Sequence, residues 1–153
     1  MRKRDCGPGR FPWEMEESNT LMIKLVERTL RREVETALRP LGLTPQQSQS
    51  LHMLAMSPGA TNADLERALF IDKSSVTSLI NGMVKRGWAV RRELAEDARV
   101  KRIYLTDTGM ALYEAASEAV KKAKEGANDR LTAEESLQLR SLLKKILAAY
   151  EQP

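Results

Sequence analysis

The sequence predicts a mainly α-helical chain carrying one small β-hairpin. Three observations lead there. Apolar residues recur at spacings of three and four through most of the chain, the period of an amphipathic helix. Several of these runs open on capping residues. One stretch, just after Gly87, switches to the period of two that marks strands. Composition agrees, since only 5% of the 153 residues are aromatic while Leu and Ala dominate. A chain of this length fits one domain with a sizeable core.

The elements follow in order. Residues 1–12 read as a flexible tail, because Gly7, Pro8, Gly9 and Pro12 punctuate them. From Trp13 the pattern turns helical through Leu21, Met22, Leu25, Val26, Leu30, Val34, Ala37 and Leu38, and Pro40 and Gly42 end it. Residues 13–43 thus form a first helical unit. Thr44-Pro45-Gln46-Gln47 starts the next helix with a capping Thr, a Pro in the first turn and Gln at the third position. Thr61-Asn62-Ala63-Asp64 and Asp72-Lys73-Ser74-Ser75 start two more. In the helix after Thr61, Ala63, Leu65, Ala68 and Leu69 are expected to face inward. Residues 88–94 and 100–105 read as two short strands joined by the polar loop 95–99. A long Ala-rich helix begins after Thr106, and Thr132-Ala133-Glu134-Glu135 is a capping box before the last helix. Met22, Met53, Met56 and Met83 are expected in the core, and His52, the one histidine, as a packed or surface residue.

Charge is placed unevenly. The chain carries net +4. Residues 1–10 hold Arg2, Lys3, Arg4 and Arg10 against Asp5. Residues 73–102 hold Lys73, Lys85, Arg86, Arg91, Arg92, Arg99, Lys101 and Arg102 against Glu93, Glu96 and Asp97. The rest of the chain is therefore net acidic. A basic window of this kind is either a solvated face or the footprint of a polyanion site.

The helix over 73–86 separates the two readings. Val76, Leu79, Ile80, Met83 and Val84 form one apolar stripe, which must pack on the preceding helix. The opposite face carries Ser74, Ser75, Thr77, Ser78, Asn81 and Lys85. Ser, Thr and Asn are mediocre helix formers, so propensity does not explain them. Short donors and acceptors let a helix backbone come close to a surface, and in a DNA major groove they reach base edges and phosphates. A face packed on another helix is the competing reading and would hold more Ala. The helix over 62–69 and the short link Phe70-Ile71-Asp72 complete a helix-turn-helix, and the hairpin that follows supplies a wing. In the wing loop, Arg99 is placed to enter a minor groove, with Asp97 either orienting its guanidinium or simply making the turn. The candidate DNA contacts are therefore Lys73, Ser74, Ser75, Thr77, Ser78, Asn81, Lys85, Asp97, Arg99 and Lys101.

Other classes find little support. One His and one Cys give no metal spacing, and there is no Gly-rich phosphate loop, so neither an enzyme nor a cofactor is expected. No apolar run reaches membrane-spanning length, and the basic start leads into Asp5, Gly7 and Pro8 instead of a signal peptide. The lone Cys6 allows no internal disulfide, which suits a reducing cytoplasm.

Leu43-Thr44-Pro45-Gln46, Asp72-Lys73-Ser74-Ser75-Val76-Thr77 with Ile80, Lys85-Arg86-Gly87-Trp88, Asp97-x-Arg99 and Leu105-Thr106-x-x-Gly109 stand in one register. Together they resemble the multiple-antibiotic-resistance regulator (MarR) family, from about Trp13 to Tyr150. The resemblance implies a winged helix-turn-helix over 44–105, with the recognition helix at 73–86 and the wing at 88–105. It also implies a dimerisation lobe built from the N-terminal helix and the helices of 106–150. The implied protein is a homodimeric repressor on a pseudopalindromic operator, modulated by a small phenolic or aromatic carboxylate effector. Ala98 stands where many members carry Arg or Gly, and Trp88 where a smaller aliphatic residue is usual. The last helix presents Leu137, Leu142, Leu143, Ile146, Leu147 and Tyr150 for a dimer seam or for its own subunit. Two further readings stay open: a redox sensor of the same fold using Cys6, and a winged helix used for protein assembly.

Overall fold

The computed structural model describes residues 18–151. The tail, Cys6 and the start of the first expected helix at Trp13 lie outside the described residues. The described chain runs α1 (Asn19–Leu38), α2 (Pro45–Met56), α3 (Asn62–Leu69), α4 (Lys73–Lys85), β1 (Ala89–Glu93), β2 (Lys101–Leu105), α5 (Asp107–Asn128) and α6 (Ala133–Ala148). It is the mainly helical winged helix-turn-helix that the sequence predicts.

The caps explain most of the boundaries. At α2, Gln47 N–H donates to Thr44 Oγ1 at 3.2 Å and Thr44 N–H donates back to Gln47 Oε1 at 3.0 Å. The same reciprocal box holds at Thr61–Asp64 and Thr132–Glu135. Each such cap contributes about 1 kcal/mol by satisfying amide protons that the first turn cannot. α1 runs from Asn19, where Ser18 is extended and accepts from Leu21 N–H as its cap. The chain leaves α1 through a single 3₁₀ turn over 39–41, and Gly42, at φ 68°, reverses it.

The core joins α4 to everything around it. Val76, Ile80 and Met83 of α4 are fully buried, with Leu51 and Leu54 of α2, Leu65 of α3, Ile103 of β2, and Leu38 and Ala116 beside them. Leu79 and Val84 pack on its margin. α1 and α2 both lie against α5, which is the spine of the chain. In α3 only Leu65 is buried and Leu69 half-buried. Ala63 and Ala68, expected inside, are exposed, because eight residues make little more than two turns and one narrow stripe suffices. Met22 and Met56 are likewise exposed, at 54% and 60%, whereas Met83 is core and Met53 packs against it. His52 is a surface residue whose ring lies 5.8 Å from that of Tyr113.

The hairpin is antiparallel, with Ala89 opposite Leu105, Arg91 opposite Ile103 and Glu93 opposite Lys101. The strands are one or two residues shorter than their sequence pattern. A third extended segment, not apparent in the sequence, joins β2 from the other side: Gly59 N–H donates to Ile103 O at 2.9 Å, and Ile103 N–H donates to Ala60 O at 3.0 Å.

Two backbone positions are tightly constrained. Phe70 caps α3 in the left-handed conformation at φ 53° while its side chain is 93% exposed. At the start of α5, Gly109 is buried, and a Cβ there would lie 1.9 Å from Trp88 O. Thr106 ties the same junction. Its N–H donates to Trp88 O at 3.1 Å, its hydroxyl donates to Gly87 O at 2.5 Å, and its Oγ1 accepts from Gly109 N–H at 3.1 Å. This contact is why a Thr-x-x-Gly step follows the wing.

Asp72 caps α4. Its Oδ1 accepts from Ser75 N–H at 2.9 Å and from Ser74 Oγ at 2.5 Å, and its Oδ2 accepts from Ser75 Oγ at 2.7 Å. These donors, the Ser74 hydroxyl first, hold the carboxyl well below the usual Asp range. Asp64 is lowered as well, chiefly by the Thr61 backbone and hydroxyl donors of its capping box and then by Arg67. A carboxyl depressed on folding adds stability that is complete above its unfolded pKa of about 3.9 and disappears as pH falls through the lower folded value.

Two outcomes follow. Gly109→Ala lowers the thermal midpoint by several degrees, since forcing a methyl onto backbone costs about 1–3 kcal/mol and exceeds the roughly 1 kcal/mol that Ala gains in a helix. Gly126→Ala, in open space on the same helix, leaves the midpoint unchanged or raises it. Equal midpoints for Gly109→Ala and the parent would refute the contact. For the cap, melting curves between about pH 6 and about pH 2 compare the parent with Asp72→Asn, which keeps an acceptor but cannot titrate. The parent is the more stable at the upper end, and the difference closes as the carboxylate protonates. A difference of constant size counts against the ionised cap.

Candidate nucleic-acid interface

Burial of one stripe of α4 leaves the other face outward. Lys73, Ser74, Ser75, Thr77, Ser78, Asn81 and Lys85 are all exposed, as are Asp97, Arg99 and Lys101 in the wing. None of the ten expected residues is hidden in the core. The two groups lie on α4 and on the hairpin that directly follows it, with β1 packed on α4.

The hydrogen bonds refine what each side chain can offer. The Ser74 and Ser75 hydroxyls donate to Asp72, and Thr77 Oγ1 donates to Lys73 O at 2.9 Å. Three of the face's hydroxyls therefore spend their protons inside the protein and present lone pairs outward. Lys73 and Lys85 place cations at the two ends of the helix.

In the wing, Asp97 makes the turn. Its Oδ1 accepts from Arg99 N–H at 3.0 Å, and Val100 N–H donates to Asp97 O at 3.1 Å. The alternative role, pairing with the Arg99 guanidinium, is not found among the ion pairs of the described residues, which are Arg31–Glu27, Arg67–Asp64 and Lys122–Glu118. The Arg99 head is thus left exposed at the tip.

Other residues join this surface that the sequence did not single out. A cleft of about 700 Å³ runs between the start of α2 and α4, lined by Gln46, Gln47, Ser75, Ser78, Lys85 and Arg86 among others. Gln46 and Gln47 are signed in the sequence only as parts of a cap. The Arg86 guanidinium lies over the Trp88 ring, 5.0 Å from its centroid, and Arg92 lies over Tyr104 at 5.1 Å. Arg92 stands directly opposite Arg102 in the hairpin. Like charges so placed repel, and both are drawn aside, Arg92 onto the ring and Arg102 to Gly59 O at 3.1 Å. Arg91 of β1 reaches back to α4, its Nη2 donating to Asn81 Oδ1 at 2.5 Å. Only strand register shows which of the four basic strand residues turns that way.

Among the described residues no cluster of three or more His, Cys, Asp or Glu side chains could hold a metal ion, and no helix is long and apolar enough to cross a membrane.

Known proteins share this architecture. Residues 41–100 match the MarR family. The chain is 31% identical over 121 residues to the HTH-type transcriptional repressor Rv2887 of Mycobacterium tuberculosis, covering 79% of this chain and 87% of that one. It is 31% identical over 134 residues to the homoprotocatechuate degradative operon repressor of Escherichia coli, with 85% and 89% covered. Among solved structures, a MarR variant of Escherichia coli complexed with operator DNA superposes with a TM-score of 0.74 at 28% identity, over 82% of this chain and 91% of that one. A MepR–DNA complex of Staphylococcus aureus gives a TM-score of 0.79 at 24% identity over 88% and 99%, a likeness of fold. With this fold, these relatives and the extent of the match, the chain belongs to the MarR family.

Proposed function

We propose that the protein is a sequence-specific DNA-binding transcription repressor that acts as a homodimer on a pseudopalindromic operator. The observation that carries the reading is α4 itself, with an apolar stripe on one side whose Val76, Ile80 and Met83 are fully buried, and an exposed short polar face with lysines at both ends on the other. Such a helix enters a major groove with its backbone close to the bases, while Lys73, Lys85 and the wing cations Arg99 and Lys101 meet phosphates and the neighbouring minor groove. A relative of 28% identity is a MarR variant complexed with operator DNA, and two others are named repressors.

The dimer is supported by what the single chain leaves uncovered. Leu137, Leu142, Leu143, Ile146, Leu147 and Tyr150 of α6 are exposed, Tyr150 by 84%. Among the described residues no other element packs extensively on α6, and Met22, Ile23 and Val26 of α1 are exposed too. Apolar surface of this extent marks an interface, and a second copy brings two recognition helices to the spacing of roughly 34–36 Å that one turn of duplex requires. The modulating ligand is a small aromatic carboxylate or phenol, in keeping with the resemblance and with a relative named for the homoprotocatechuate degradative operon.

A mobility-shift titration against the protein's own upstream DNA tests the reading. Binding weakens steeply with salt, log K falling by about 0.9 per phosphate neutralised for each unit of log salt. Arg99→Ala lowers affinity about tenfold, whereas substitutions at Ser78 or Asn81 change which sequence is preferred. Unchanged binding in all three variants removes the proposed interface and favours a protein-assembly role. For the dimer, sedimentation of a chain ending at Leu131 gives monomers where the full chain gives dimers. A stable DNA-binding dimer without α6 overturns that assignment.

A further inference from the structure

The bond between Asn81 and Arg91 has a chemical consequence for base reading. An arginine guanidinium donates only, so the Asn81 amide must turn its oxygen toward Arg91 and its NH₂ away from it. Arg91 is held for this. It lies on the same face of β1 as the buried Ala89, opposite the buried Ile103, and is itself half-buried, while Asn81 is exposed. Ion pairs of the described residues do not compete for it, as none involves Arg91. An unconstrained Asn reads adenine in a bidentate way, its oxygen accepting from N6–H and its NH₂ donating to N7. With the oxygen turned toward β1 and one of its two lone pairs taken by Arg91, Asn81 leads outward with its NH₂ donors, which suit the N7 and O6 acceptors of guanine.

We propose that Arg91 is a positioning residue that turns the Asn81 amide so that its NH₂ donors face the base, and that one base pair of each half-site therefore favours guanine over adenine. Arg91 acts through Asn81 and need not touch the base. The inference rests on the DNA-reading function proposed above and assigns a direction of specificity within it.

Selection of bound duplexes from a randomised pool, with the full chain, tests it. Four proteins are compared: the parent, Arg91→Met, Arg91→Lys and Asn81→Ala. The parent enriches a motif with guanine preferred at one position. Arg91→Met shifts that position toward adenine, with relative affinity changing about tenfold and the other positions unaltered. Arg91→Lys, which retains a donor, keeps the guanine preference. Asn81→Ala, a surface substitution that leaves the core intact, loses discrimination at that same position. If the parent enriches a motif but Arg91→Met enriches the identical one, or Asn81→Ala leaves every position unchanged, the inference is overturned while the DNA-reading function stands. If the parent enriches no motif, the function itself falls and the inference with it.

Discussion

Everything on the proposed reading surface depends on how α4 is seated. Val76, Ile80 and Met83 are wholly buried among residues of α2, α3 and β2, so the helix has one available rotation about its axis. Burying three such side chains is worth roughly 1.5–3 kcal/mol each relative to exposure, far more than any single hydrogen bond on the outer face. The polar face is therefore the geometric complement of the core. Its residues can be chosen for what they contact, since they contribute little to holding the helix in place.

The same logic fixes the wing. β1 follows α4 after the single turn at Gly87, and its hairpin packs Ala89 and Ile103 into the core that seats α4. Arg91, half-buried on the same face of β1 as Ala89, then bridges the two elements through Asn81. Below them, the Trp88 carbonyl lies so close to Gly109 that no side chain fits between, and Thr106 bonds both ends of the gap. Helix α4, the hairpin and the start of α5 are thus joined by contacts that leave little play, and α5 extends the connection toward α6.

Much of this was legible in the sequence because the signals are local. Capping residues at Thr44, Thr61, Asp72 and Thr132 mark helix starts whose hydrogen bonds close within three residues. The stripe of α4 follows from its period, and its outward face follows from the stripe. What escaped depends on packing between distant segments. The pairing of Gly59 and Ala60 with Ile103 has no period to announce it in two residues. Ala63 and Ala68 are small enough to sit on either side of a short helix, so pattern alone misplaced them. Met22 and Met56 went wrong for a related reason, since a flexible apolar side chain at a helix surface reads like core until its neighbours are known. Arg91 looked like one cation among eight in a basic window, and its partner lies ten residues away on another element.

The polarity of the α4 face also bears on what kind of DNA reader it can be. Hydroxyls usually serve either role, but the Asp72 carboxylate and the Lys73 carbonyl take the protons of Ser74, Ser75 and Thr77. These three hydroxyls, next to the Lys73 cation, therefore offer acceptors, which match the exocyclic amines of cytosine and adenine in a major groove. Beyond them, Asn81 with its oxygen held by Arg91, and Lys85, offer donors. Between the two lysines, the side chains run from acceptor to donor, an order complementary to a proposed half-site with amine-bearing edges at one end and guanine-like acceptors at the other. In the proposed dimer, two such helices related by a dyad would meet that order inward and then outward, giving the proposed pseudopalindrome a chemical polarity as well as a symmetry. That polarity originates in the cap: as long as Asp72 is ionised it keeps the nearby hydroxyls pointing inward, and the residue that starts the helix also sets which hydrogen-bonding groups its first turn presents.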